Sequence, residues 1–396
     1  MTDQHLLAMH HSEVQVSVEL ETPDVTLNLG PQHPSTHGVL RLVAKVDGEV
    51  INEVDPVIGY MHRGYEKLAE VRTYPQIVAL VSRIDWVSGY ASEVPLMVAV
   101  ERLMEIEPPD RAQHIRLVLT EMARIASHLV FLSSYPLELG APTPMMHALR
   151  ERERVLDLIE TVTGGRFHPN FNRIGGVKPA AGAGSDQKKV FQDLPEGFTS
   201  QTLAAMDDVV AVCDDMNNLV LGNEIFLERT KGIGVIPADK ALEYGVSGPN
   251  LRASGVKFDI RKTDDYLPYD RFEFEIPTGE NGDCFDRYSV RLEEIRQAAR
   301  IIKQAVEAMP EGDLQAKVPR IIKVPRGEVY VRAENPKGEM GYHVVSEGGR
   351  GPYRLKIRSA SFSNLSVLPW LLKGQLIPDI IAILGSLDFV LGDVDR

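Results

Sequence analysis

The sequence predicts an α+β protein, with a helical bundle core and small antiparallel sheets from the N-terminal and C-terminal segments. Three observations carry this reading. Alternating apolar residues around a turn signal occupy residues 25–54, helical periodicity fills the middle of the chain, and short β-rich pieces between Gly/Pro clusters return after residue 315. With 396 residues, 43% hydrophobic and 25% charged, the chain can bury about three quarters of its unfolded surface without disulfides or a structural metal. It divides into a loose arm (residues 1–24), a β-sheet segment (25–60), a helical core (61–310) and a C-terminal α/β region packed on that core (311–396), all within one large domain.

The elements follow in order. Val25–Leu29 and Leu40–Val46 alternate as strands, and Asp47-Gly48 then leads into Val50–Val54. An Asp-Gly pair between alternating runs is a hairpin signal, with Asp47 and Gly48 expected as the two central residues at positive φ. The loop Gly30–Gly38 connects the first two strands. In residues 111–132, Ile115, Val118, Leu119, Met122, Ile125, Ala126, Leu129 and Val130 form one apolar stripe, opened by Pro108-Pro109-Asp110 and closed before Pro136. Residues 145–162 repeat this logic, with Val155, Leu156, Ile159 and Val162 inward and the run Arg150-Glu151-Arg152-Glu153-Arg154 as a solvated face. Helices are expected at 202–218 and 288–309, strands at 328–332, 342–345 and 353–358, and a last apolar helix at 377–384 before the tail 387–396.

Charge and composition exclude several functions. Lys and Arg total 43 against 56 Asp and Glu, a net charge of −13 that disfavours nucleic acid and anionic lipid. The longest candidate span, Ser359 to Leu372, has 14 uncharged residues and is interrupted by Ser, Asn and Pro, so nothing reads as a membrane span. Residues 1–14 carry Asp3 and Glu13 without a basic region leading into an apolar run, and read as neither signal nor transit peptide. The two cysteines, Cys213 and Cys284, lie far apart without a CxxC partner, which suits a reducing bacterial cytoplasm and no cysteine-held cluster or zinc. Walker A, GxGxxG, HExxH and EF-hand patterns are all missing; Lys231-Gly232-Ile233-Gly234 and Ala181-Gly182-Ala183-Gly184 read as turns. No nucleotide is expected on this chain.

The loop Gly30–Gly38 is the most unusual local feature. Two prolines stiffen it, two glycines let it turn, and it presents His33, Ser35, Thr36 and His37 together. Clustered imidazole and hydroxyls on rigid backbone suit a site that holds donors fixed while a ligand is reduced or protonated.

The run Leu27-Asn28-Leu29-Gly30-Pro31-Gln32-His33-Pro34-Ser35-Thr36-His37-Gly38-Val39-Leu40-Arg41 resembles the signature of the D subunit of NADH-quinone oxidoreductase, respiratory complex I. The likeness continues through residues 58–67 and 124–129, Arg173-Ile174-Gly175-Gly176-Val177, residues 251–256 and Gly392-Asp393-Val394-Asp395-Arg396. It implies a fold similar to the large subunit of nickel-iron hydrogenases. It also implies a place in a proton-translocating complex on the cytoplasmic side of the cell membrane, as a peripheral part of the respiratory chain. FMN and iron–sulfur clusters would sit in partner subunits, none in this chain. The partners would be the B subunit with the terminal cluster, the C and I subunits, and the H and A subunits of the membrane arm. Hydrogenase relatives hold metal with two CxxC pairs; here the corresponding stretches are Arg63-Gly64-Tyr65-Glu66 and Asp388-Phe389-Val390-Leu391, so no metal is expected.

Carried over residue by residue, the resemblance makes His37 the donor to a quinone carbonyl, which fits an imidazole that titrates near neutral pH. Glu138 stands where the family usually has Asp and would orient His37; Ser134 is assigned to the same pocket. Trp86 replaces a family tyrosine, and an indole N–H donates a hydrogen bond without losing its proton. Trp86 is therefore expected to stack on or bond the quinone ring, while Tyr90, one helical turn later, or a water supplies the proton. His168, Arg63 and Arg83 match family residues beside the neighbouring cluster. The segment 309–326 runs directly into Gly327-Glu328-Val329-Tyr330-Val331, without the additional helix common in the family. A reading from another class is a structural or assembly paralogue without quinone chemistry of its own.

Overall fold

The computed structural model describes residues 25–32, 38–178 and 194–396. The arm 1–24, the loop tip with His33 and His37, and the Ala181–Gly184 glycines lie outside those residues.

The first sheet is antiparallel with order β1 (Val25–Leu29), β2 (Arg41–Asp47) and β3 (Val50–Val57). The hairpin differs from the expected one by a residue. Asp47 pairs with Val50, so the turn is Gly48-Glu49, with Gly48 at φ +58°. A two-residue turn with positive φ only at its first central position needs glycine there alone, and the register shift between Lys45 and Val46 absorbs the offset. The outer edge of β3 is covered by residues 374–377, since Ile51 N–H donates to the Gln375 carbonyl and Gly374 N–H donates to that of Ile51.

Helices α1 (Tyr65–Glu70) and α2 (Tyr74–Val81) lead into α3 (Gly89–Met104), whose residues from Gly89 to Glu101 are all buried. The bundle is completed by α4 (Asp110–Glu138), α5 (Thr143–Thr163), α6 (Phe198–Met216) and α11 (Cys284–Glu307). Helix α4 runs through Pro136 instead of stopping before it. In the last turn a proline removes only one ladder bond, and Tyr135 Oη donates to the Ala382 carbonyl at 3.0 Å, pinning that turn to the core. The charge run on α5 is only partly solvated: Glu151 and Arg152 are buried, Glu151 accepts from Arg150 and Arg154, and Arg152 lies over the Phe167 ring. Helix α5 packs against both α4 and α6, so its buried arc is wider than an apolar stripe marks.

Between α5 and α6 a two-stranded ribbon forms from β4 (Asn172–Arg173) and β5 (Gly176–Val177). Short helices α7 (Glu224–Thr230), α8 (Ala238–Glu243), α9 (Pro249–Ala253) and α10 (Ile260–Thr263) connect α6 to α11. The last sheet has order β6 (Arg326–Asn335), β7 (Gly338–Glu347) and β8 (Arg354–Arg358), antiparallel, with β6 and β7 lying against α3. The segment 309–325 holds no helix, and Gln315 bridges to Gly176. Four helices close the chain: α12 (Ala360–Leu365), α13 (Leu368–Leu372), α14 (Asp379–Ser386) and α15 (Leu391–Asp395). The stretch expected as a tail is therefore a buried helical turn. No described helix is long and apolar enough to cross a membrane.

Candidate functional site

The site is organised around the turn between α14 and α15. Helix α15 is buried, and its Asp395 carboxylate accepts from Gly59 N–H at 2.9 Å and Met61 N–H at 2.7 Å. The Asp395 carbonyl accepts from His62 Nδ1 at 2.7 Å, which leaves Nε2 as the remaining ring acceptor. The loop that begins Ile58-Gly59-Tyr60-Met61-His62 is thereby laid onto the C-terminal helix. Gly38, the end of the Pro-rich loop, stands against the Leu391 side chain.

Trp86 packs against the same helix. A β-carbon at Gly392 would fall 2.2 Å from Cζ3 of Trp86, 2.7 Å from Cε3 and 2.7 Å from the Ile84 carbonyl oxygen, so only glycine admits the indole there. Glu138 ends α4 beside α14, where a β-carbon on Gly385 would meet its Oε2 at 2.7 Å. Ser134 and Glu138 are spaced i,i+4 and share one face of the last turns of α4, both half-buried. Gly38, Trp86 and Glu138 thus gather around residues 385–392, with Ser134 one turn before Glu138 on α4, while His37 itself lies outside the described residues.

Tyr90 is placed differently. Trp86 precedes α3 instead of lying on it, so the helical-turn spacing does not apply; Tyr90 is buried, and its hydroxyl donates to Asn172 Oδ1 at 3.2 Å. Burial and the nearby Glu93 raise its pKa well above the usual phenol range. That proton is engaged inside the bundle.

On the other side of α3, His168 Nδ1 pairs with the Ser82 carbonyl at 2.9 Å. Burial and then the Arg83 charge lower its pKa, against that hydrogen bond. The exposed Arg83 donates to the Ala79 carbonyl at 2.6 Å and to Ser82 Oγ at 3.2 Å. The structure thus joins His168 with Arg83. Arg63, also exposed, makes its hydrogen bond within its own loop, to Tyr65 Oη.

Sequence reasoning missed two buried constellations. The first is acidic. Asp85 accepts from Val87 N–H at 3.1 Å and Ser88 Oγ at 2.5 Å, and Asp393 accepts from Ser361 N–H at 2.8 Å. Burial and the Asp85 charge push Asp393 up to about 6 against the Ser361 donors. Glu93 accepts from Asn172 Nδ2 and from the Phe171 and Asn172 N–H groups, yet burial pushes it up to about 7. The available signal was positional: Asp85 adjoins Trp86, and Asp393 belongs to the terminal motif.

The second constellation fills the bundle between α4, α9, α10, α11 and β6. Arg252 donates to Glu294 at 2.7 Å and Glu334 at 2.8 Å, Arg261 donates to Asp259 and Glu121, and Arg124 donates to Glu121. Burial would raise Asp259, but Arg261 and Arg252 hold it at about 2. His128 sits 2.9 Å from Glu294, and burial lowers it to about 4 despite that partner. Nothing in apolar periodicity reveals such a network, because its members are charged residues at core positions contributed by several elements far apart in the chain.

A thiolate-held metal does not fit this chain. Both cysteines are buried, and burial pushes Cys213 up to about 12. Where the second cysteine pair of hydrogenases would fall, Asp388 is bridged by Lys337 at 2.5 Å and Arg291 at 3.3 Å. Cations there favour a carboxylate and supply no ligand.

Comparison with known proteins identifies the family. The family described as "Respiratory-chain NADH dehydrogenase, 49 Kd subunit" matches residues 138–323 and 317–396. The chain is 50% identical over 376 residues to the D subunit of NADH-quinone oxidoreductase from Carboxydothermus hydrogenoformans, covering 95% of this chain and 100% of that protein. It is 47% identical to the protein of the same name from Desulforamulus reducens and 48% identical to that from Geobacillus kaustophilus, covering 95% of this chain and 99% of each relative. The chain belongs to the family of the 49 kDa subunit of respiratory-chain NADH dehydrogenase.

Proposed function

We propose that this chain forms one wall of a quinone-reduction chamber in a proton-translocating NADH-quinone oxidoreductase. The observation that carries the reading is the convergence of Gly38, Trp86 and Glu138 on residues 385–392, which brings together segments more than 300 residues apart. In this reading His37 donates to one quinone carbonyl and Glu138 orients its imidazole. Trp86 and Ser134 hold the ring. The proton that an indole cannot give comes from a group other than Tyr90, whose hydroxyl is spent on Asn172.

Electrons originate on NADH and pass through FMN and iron–sulfur clusters in partner subunits; this chain holds none of these groups. His168, Arg83 and Arg63 mark the face that meets the B subunit and its terminal cluster, where a cation raises the cluster's potential. The C, I, H and A subunits are the remaining neighbours. The chain works as a peripheral part of the cell membrane's cytoplasmic side, a placement supported by the lack of a spanning helix among its described residues.

The test is His37→Ala in membranes containing the assembled complex. NADH oxidation by an artificial acceptor that bypasses quinone should persist, while quinone reduction falls by about 10²- to 10⁴-fold, the range for losing a general acid. Full quinone reduction would instead favour a scaffold.

A further inference from the structure

We propose that Asp393, paired with Asp85, supplies one of the two protons of quinone reduction. The proposal rests on the quinone-chamber reading above and supplies the donor that Trp86 replaced.

Two carboxylates flank the indole. Asp85 immediately precedes Trp86, and Asp393 immediately follows Gly392, the residue on which the ring lies. Both are buried, with 1% of their surface exposed. Both Asp85 oxygens accept hydrogen bonds, from Val87 N–H and Ser88 Oγ. Asp393 is served less well: Oδ2 accepts from Ser361 N–H, while Oδ1 is buried with no well-aligned hydrogen bond among the described residues, the Ser359 and Ser361 hydroxyls lying close by. A poorly served buried oxygen costs a carboxylate far more than a protonated carboxyl. Burial, the poorly served oxygen and the neighbouring Asp85 charge together hold a proton on Asp393.

The groups around Asp393 fit this assignment. From the start of α12 come the Ser361 amide and hydroxyl and the hydroxyl of Ser359, the residue that caps it; from β7 comes Tyr342, whose hydroxyl donates to the Ser92 carbonyl at 3.0 Å. On its own helix, Asp395 is engaged with Gly59 and Met61, and Arg396 with the Ile357 carbonyl. Nearby Lys337 and Arg291 are committed to Asp388. Glu93 acts on Tyr342 and is itself pushed up to about 7 by burial. No cation is paired with Asp393 among the described residues, so nothing neutralises it except a proton.

The step balances. Two electrons from NADH and two protons convert quinone to quinol. His37 protonates one carbonyl oxygen. At the other, the Asp393 O–H bond breaks as an O–H bond forms on the quinone, through a bridging water beside the indole. Asp393 is left as a second anion against Asp85, and this repulsion drives its return to the protonated form from solvent water.

The experiment measures the pH dependence of kcat and KM for a short-chain benzoquinone in the assembled complex. In the native complex kcat should fall as pH rises through about 6, where Asp393 loses its proton. Asp393→Asn should abolish that limb and lower kcat below pH 6 at least tenfold, with KM unchanged. Asp85→Asn should keep the limb but move it to lower pH, because it removes the repulsion and leaves burial. A merely structural role would move neither limb. Native limbs in both variants would overturn the proposal. If Asp393→Asn fails to assemble, judged by artificial-acceptor activity, an unshifted limb in Asp85→Asn overturns it alone. Crosslinking with a photoreactive benzoquinone separates the two readings. Labelling at Trp86 with unchanged limbs sinks only the proton source, whereas labelling elsewhere sinks the chamber and this inference with it.

Discussion

Replacing Gly392 with alanine probes the contact on which the candidate site depends. The added methyl would lie 2.2 Å from one indole carbon and 2.7 Å from the Ile84 carbonyl, against an ordinary contact of at least 3.4 Å. Something must move by more than 1 Å, and the carbonyl is backbone, so the half-buried indole is displaced. Overpacking of this kind costs about 1–3 kcal/mol. At about 2.1 cal/mol/K of unfolding entropy per residue, a chain of 396 residues loses roughly 0.8 kcal/mol per kelvin, so the melting temperature falls by about 1–4 °C. The chain has two tryptophans, and a Trp370→Phe background leaves Trp86 as the only reporter. Gly392→Ala should shift its emission to longer wavelength as the ring leaves its apolar bed, and in the complex it should raise the quinone KM more than it lowers artificial-acceptor activity. An unchanged spectrum, melting temperature and KM together would refute the packing argument.

Two further predictions concern the buried charges. Arg252→Met leaves Glu294 and Glu334 without their guanidinium and should cost about 3–5 kcal/mol, read as a lower denaturation midpoint; a loss below about 1 kcal/mol would mean the network is not dry. Glu93 is raised from 4.5 to about 7, so the folded state binds its proton more tightly than the unfolded chain. Its contribution is fully present below pH 4.5 and is lost as pH rises to about 7, a change of about 3 kcal/mol at 1.36 kcal/mol per unit. Glu93→Gln should flatten the stability profile across that window, and an undiminished slope would contradict the burial argument.

Much of the scaffold was legible from local pattern alone. The stripe from Ile115 to Val130 specifies α4 because side chains three and four apart share a face, and alternation specifies β2 and β3 because strand side chains alternate. The family was legible in the Gly30–Gly38 run and the terminal Gly392-Asp393-Val394-Asp395-Arg396, since those residues stand in the sequence itself. The candidates Trp86, Glu138, Ser134, His168 and Arg83 were named on that basis.

Other features depend on which surfaces meet. The i,i+4 reading of Tyr90 assumed a helix that begins only at Gly89, and its hydroxyl finds Asn172 instead of the Trp86 face. The run at 150–154 looks solvated, yet Glu151 and Arg152 are covered once α6 and Phe167 pack against α5. Residues 387–396 carry no period, and they become a helical turn because Lys337, Arg291, Gly59 and Met61 hold Asp388 and Asp395. By itself the sequence determined the helices, the strands and the kinship, because periodicity and motif are properties of neighbours along the chain. Tertiary structure alone decided which charges are buried and that Asp393 is raised by burial and by the Asp85 charge, because desolvation and Coulomb energy depend on distances across space, and those exist only after folding.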